Sequence, residues 1–214
     1  MNTIAIEKRY SELADEECCL SCGGAIDMSH PGTGEVCVDL GCGKGSDVIR
    51  LRKAVGEGGH VYGVDIADGM IAKARQQVEK FGYTNVTLIH SELEQLPIES
   101  DAADLVISNC TINHAQNKRA VWSEIFRILK MGGRIVVSDI YSMKPVPSEY
   151  ANDPEAVAEC WAGAITKDEY LNILQQTGFK QISMIEESKP YEKGKIAVAS
   201  FTVSAKKSTC CCGS

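Results

Sequence analysis

From about residue 35 the chain alternates short apolar runs with segments of helical period. Residues 35–40 (EVCVDL) are nearly continuous in apolar side chains, the pattern of a strand covered on both faces. Residues 60–66, 85–90, 103–108 and 134–139 read the same way. Amphipathic stretches lie between them. Asp68 is placed to cap a helix with Met70, Ile71, Ala74, Val78 and Phe81 on one face and Gly82 at its end. Residues 117–130 put Val121, Ile125, Ile128 and Leu129 on one stripe. Thr166 followed by Glu169 is a capping box for a helix that stops at Gly178. Strands separated by helices predict a parallel sheet. The rhythm breaks after Gly178, where residues 179–187 and 195–205 are strand-like with only a short polar link between them. That spacing predicts an antiparallel hairpin closing an otherwise parallel sheet. The expected fold is α/β, Rossmann-like and mostly parallel. Residues 1–34 read as a partly helical, cysteine-bearing cap, 35–206 as the main domain, and 207–214 as a mobile, cysteine-rich tail.

Length and composition narrow the function. At 214 residues the chain is long enough to bury a core without staples, and 44% hydrophobic with 24% charged residues is globular. Twenty-two basic against 29 acidic residues give a net charge of −7, a poor match for a polyanion, so nucleic acid is not expected as a partner. No apolar run approaches the roughly 20 residues of a membrane span, and the first residues lack a signal-peptide pattern, so a cytoplasmic location is expected. Ten cysteines are the anomaly. In a reducing compartment they favour metal, metalloid or thiol chemistry over disulfides.

Residues 38–45 (VDLGCGKG) join the first strand to the first helix of the sheet. Gly41, Gly43 and Gly45 let the backbone turn sharply and approach a ligand at a helix N-terminus. Asp65 ends the next strand, where a carboxylate accepts from both hydroxyls of a ribose. Strand, turn, helix, strand and terminal acid in register point to a nucleoside-bearing cofactor. The G-x-G-x-G spacing and the closing hairpin both differ from a dinucleotide fold.

The VDLGCGKG stretch resembles the first motif of class I S-adenosylmethionine-dependent methyltransferases, and the resemblance covers about residues 35–205. It implies that Asp39 lies near the methionine amino group and that Asp65, with Ile66 and Met70, binds the ribose side. It further implies Glu92 and Leu93 at the adenine and Ser108 on the cofactor side of the fourth strand. The family's L-K-P-G-G turn appears as residues 129–133 (LKMGG), with Met131 in place of proline.

Two further segments, residues 108–113 (SNCTIN) and 159–164 (ECWAGA), closely resemble the paired cysteine motifs of arsenite S-adenosylmethionine methyltransferases. That resemblance implies that Cys110 and Cys160 hold trivalent arsenic, joined by a thiol from the Cys18, Cys19 and Cys22 group. Cys19 is favoured as this third ligand, with Cys22 as the alternate. The substrate would be arsenite or its thiol conjugates. A thiol reductant, glutathione or thioredoxin, would restore the trivalent state as co-substrate. Arsenic(III) is soft and prefers thiolate to carboxylate or imidazole. It also carries its own lone pair, which fits the lack of a recognisable general base.

Plainer readings cover the other candidates. Cys37 is packing and Cys42 a small loop residue, while His30, His60, His90 and His114 are structural. Cys210, Cys211 and Cys212 either capture metalloid or form a solvated tail. Two rivals stand beside the leading reading. A quinone- or sterol-type C-methyltransferase shares the cofactor half but needs no thiol pair. A zinc or metalloid thiolate-binding protein would use Cys19, Cys22 and the terminal cysteines.

Overall fold

The computed structural model describes residues 2–15 and 23–208. Cys18, Cys19, Cys22 and the three terminal cysteines therefore lie outside the described residues. Eight strands are present among these: β1 (Val36–Leu40), β2 (His60–Asp65), β3 (Val86–His90), β4 (Ala103–Asn109), β5 (Leu129–Ser142), β6 (Lys180–Glu187), β7 (Tyr191–Lys193) and β8 (Ile196–Lys206). They form one sheet in the order β3-β2-β1-β4-β5-β8-β6, with β7 paired to β8. The first five run parallel, and β8 is antiparallel to both β5 and β6. The predicted hairpin is thus real. Its second strand inserts beside β5 and leaves β6 at the edge.

The helices are α1 (Asn2–Leu13), α2 (Ala25–Ser29), α3 (Ser46–Val55), α4 (Asp68–Lys80), α5 (Lys118–Ile128), α6 (Ser148–Ala151), α7 (Pro154–Ala158) and α8 (Lys167–Thr177). They cover both faces of the sheet. Alternation along β1 explains its unbroken apolar run: Val38 and Leu40 pack into the layer with α5 and α8, while Cys37 packs with Val48, Leu51 and Val55 of α3. Trp122, Tyr170 and Phe179 meet edge-to-face and seal the first layer.

The capping expectations divide. Thr166 accepts from the Glu169 N–H and Gly178 closes α8 in a left-handed conformation, as the sequence suggests, and Asn117, not singled out in the sequence, caps α5 by accepting from the Ala120 N–H. Asp68 does not cap α4. It lies inside the first turn, with Ala67 at the cap position, and Asp65 before it accepts from the Ala67 N–H. The tail also begins later than expected. Lys207 exchanges backbone hydrogen bonds with Gly132 and Gly133, and its Nζ donates to the Leu129 carbonyl and to Asp101. Met131 stands exposed at that turn.

Candidate active site

A cleft of about 260 Å³ opens at the carboxyl ends of β1, β2 and β4. The glycine loop forms its floor. Gly41 sits at φ 73 with Thr111 packed where a side chain would go, and Gly43 sits at φ 51 with open space there. Only glycine meets both demands without strain. Asp65 holds this loop in place, with Oδ2 accepting from the Gly43 N–H at 2.8 Å and Oδ1 from the Ala67 N–H at 2.9 Å.

Asp39, Asp47 and Asp65 line the cleft, with Glu92 and Glu94 also among its lining residues. Burial pushes the Asp39 carboxyl well above its ordinary range, and the charges of Asp47 and Asp65 push it further. Asp65 is raised by burial against the pull of its N–H donors. Asp47 is likewise raised by burial, opposed by Arg50. A cluster of carboxyls that resists ionisation when alone is suited to a ligand carrying positive charge. Ile66, Met70, Glu92 and Leu93 line the far wall, as the sequence suggested.

Two expected cofactor residues sit behind the cleft. Gly45 caps α3 and packs its α-carbon face on Ala74 of α4, so its smallness serves helix packing. Ser108 is fully buried and donates to the Leu40 carbonyl at 3.0 Å, tying β4 to β1.

The cysteines approach from the other side. Cys110 lines the cleft directly after β4, and Cys160 lies on the segment that crosses above β5. The Cys160 thiol donates to the Cys110 carbonyl at 3.6 Å and to Asp139 Oδ1 at 3.8 Å. Both cysteines occupy positive φ, 52 and 75, a region side chains rarely adopt and one found at functional sites. The two motifs are locked together. A side chain at Gly163 would fall 1.9 Å from the Asn113 carbonyl oxygen, so the glycine lets the segments meet. Asn113 in turn donates to Asp139 Oδ1 and to the Ile140 carbonyl, both at 2.8 Å. Asp139 is raised to about 6 by burial, and its Oδ2 is a buried atom with no hydrogen-bond partner among the described residues.

Cys37 and Cys42 behave as packing residues. Burial raises the Cys37 thiol to about 12 and the Cys42 thiol well above its ordinary value. Cys19 and Cys22 are outside the described residues, but Gly23 lies against Ser138 and Asn109, and the Ala25 N–H donates to Asn109 Oδ1. The sequence did not single out Asp47, Asn109, Thr111, Asp139 or the α1 residues Thr3, Ile6 and Tyr10. Asn109 and Thr111 flank Cys110 in a quoted motif and Asp139 ends a predicted strand. Nothing in the weakly patterned α1 announces its place over the cleft.

Comparison with known proteins places the chain in a family. Residues 32–178 match the methyltransferase domain family. The chain is 35% identical over 173 residues to the arsenite methyltransferase of Halobacterium salinarum, covering 81% of this chain and 44% of that protein. It is 38% identical over 151 residues to the arsenite methyltransferase of Mus musculus, covering 66% and 40%. The chain therefore spans less than half the length of these curated relatives. A solved structure of the arsenic(III) S-adenosylmethionine methyltransferase from Chlamydomonas reinhardtii superposes with a TM-score of 0.77 at 29% identity, over 96% of this chain and 74% of that one.

Proposed function

Because the chain belongs to the methyltransferase domain family, we propose that it transfers methyl groups from S-adenosylmethionine to thiol-bound trivalent arsenic. The single observation that carries the substrate half is the packing of Cys160 against the backbone of Cys110, which itself lines the cleft, with both cysteines held at positive φ. A quinone- or sterol-type methyltransferase has no use for that pair.

The residues present fit the cofactor. Asp39, Asp47 and Asp65 offer negative potential for an ammonium and a sulfonium group, and the open space at Gly43 admits a close ligand. S-Adenosylmethionine supplies an electrophilic methyl group on a sulfonium centre. Asp65 braces the loop, and its carboxylate faces the cleft where ribose hydroxyls would donate. Glu92 and Leu93 would flank the adenine. Cys110 and Cys160 would hold arsenic by soft thiolates and orient its lone pair toward the cleft. Catalysis is then chiefly positioning, and no general base is required. The third thiol is proposed to come from Cys19, with Cys22 as the alternate.

A thiol reductant, glutathione or thioredoxin, is the proposed co-substrate, and the cytoplasm the proposed location. Among the described residues no helix is long and apolar enough to cross a membrane. The test is to incubate the protein with labelled S-adenosylmethionine, arsenite and glutathione, then identify arsenic species chromatographically. Labelled methylarsenic supports the reading, and label confined to unreacted cofactor overturns it.

A further inference from the structure

Helix α1 touches both halves of the site. Thr3, Ile6 and Tyr10 line the cofactor cleft from above. On one side α1 is seated on the start of α4, where the Gly69 N–H donates to Ser11 Oγ at 3.3 Å and the bare α-carbon of Gly69 lets the Ser11 backbone come close. Lys73 pairs with Asp15 beside it.

On the other side α1 grips the segment that presents Cys160. Tyr10 OH lies 3.0 Å from His114 Nε2, with the rings edge-to-face, and His114 Nδ1 lies 2.9 Å from the Val157 carbonyl. A carbonyl only accepts, so Nδ1 carries the proton and Nε2 accepts from the tyrosine hydroxyl. The same Val157 carbonyl accepts the Cys160 N–H at 2.9 Å. A second strand of contact runs in parallel. Arg9 pairs with Glu159, the residue before Cys160, and Glu159 accepts from the indole N–H of Trp161, the residue after it. Backbone at positive φ persists only when its surroundings hold it, and these contacts are part of what holds Cys160.

We propose that Tyr10 and His114 are positioning residues that couple an occupied cofactor cleft to the placement of the Cys160 thiol. This rests on the arsenite-methylation reading and adds to it an order in the site's assembly. A ligand in the cleft contacts the face of α1 that carries Tyr10 and so stabilises its docking. Docked α1 fixes His114, the Val157 carbonyl and the turn at Cys160. Arsenic is then held firmly only where a methyl donor is already in place. By linkage, arsenite must tighten cofactor binding by the same factor.

The test uses the full chain and arsenite as probe, with S-adenosylhomocysteine filling the cleft so that no methyl transfer intervenes. Arsenite affinity is read from tryptophan fluorescence in a Trp122→Phe background, so that Trp161 is the reporter, with and without saturating S-adenosylhomocysteine. The wild-type protein is expected to bind arsenite about fivefold or more tightly when the cleft is filled. In Tyr10→Phe, which keeps the ring and loses the hydroxyl, the ratio should fall to near one. His114→Asn, which retains a donor toward Val157 but not the acceptor for Tyr10, should lose the ratio as well. A merely structural role would lower the melting temperature and leave the ratio intact. A wild-type ratio of one, or a full ratio in Tyr10→Phe, overturns the coupling while leaving the arsenite reading standing. If Cys110→Ser and Cys160→Ser bind arsenite as the wild type does, the arsenite reading fails and the coupling with it.

Discussion

Asp65 and His114 each make a polar group useful by burying it. Asp65 braces the glycine loop through the Gly43 and Ala67 N–H groups and still faces the cleft. Asp65→Ala removes a charged acceptor from both tasks, so affinity for S-adenosylmethionine should fall by about 1.5–3 kcal/mol, at least tenfold. Titration calorimetry that finds unchanged affinity would remove Asp65 from the site. His114 is lowered from 6.5 to about 4, first by burial and against the pull of its bond to the Val157 carbonyl. Between those values the unfolded chain takes up a proton that the folded one refuses. Its contribution to stability is therefore full above pH 6.5 and lost as pH falls toward 4, on the order of 3 kcal/mol. Asp139, raised from 3.8 to about 6, acts in the opposite direction, losing stability as pH rises through that window. Comparing wild type with His114→Asn isolates the histidine. Denaturant melts at pH 7 and 4.5 should show the wild type losing ground to the variant at the lower pH, and parallel losses would contradict the assignment. Asp65 at the end of β2 was legible from its position in a βαβ unit, whereas the cysteine pair was read only from the resemblance of its two motifs. The role of His114 was not legible, since its partners Tyr10 and Val157 are distant in sequence and only the folded chain joins them.

Elements in this protein were legible to the extent that their signals are local. The both-faces-covered run of β1, the Thr166 cap and the glycine stop at the end of α8 depend on neighbours within a few residues, and each stands as read. Asp68 failed as a cap because the helix begins one residue earlier than read, with Ala67 at the cap position and Asp68 as the first helical residue. The crossing segment that holds α6 and α7 has too short a helical period to predict, and it is positioned by contacts from afar. Gly163 is the clearest case. Its reason is the Asn113 carbonyl oxygen, 1.9 Å from where a side chain would be, which no reading of the chain around it discloses. Gly163→Ala must push the crossing segment away from the turn after β4, separating Cys160 from Cys110. Arsenite methylation should drop at least tenfold while S-adenosylmethionine affinity stays within about twofold, a loss in the range expected when positioned groups shift by an ångström or so. Parallel activity assays and calorimetry on the purified variant check this. Equal loss of both functions would mean that the glycine supports the fold as a whole.

At the scale of the molecule, the sheet sets two poles. Its carboxyl edge gathers the cleft, Cys110 and Asp139, while Lys207 ties the last described strand to Gly132 and Gly133 where β5 begins. The segment bearing Cys160 packs over Ile140 of β5 and Val198 of the antiparallel β8 beside it. On the proposed function, one half of the resulting site would answer to a cationic nucleoside and the other to a soft metalloid, with Cys110 as their boundary. Separating those halves tests the account most directly. Cys110→Ser and Cys160→Ser, alongside Cys37→Ser as the buried control, should be assayed for arsenite methylation and for S-adenosylmethionine binding on the same preparations. A hydroxyl is close to a thiol in size but a hard ligand, so each of the first two should abolish methylation with cofactor affinity nearly unchanged, and the control should lose some stability and little specific activity. Normal methylation of arsenite by both serine variants would contradict the central claim.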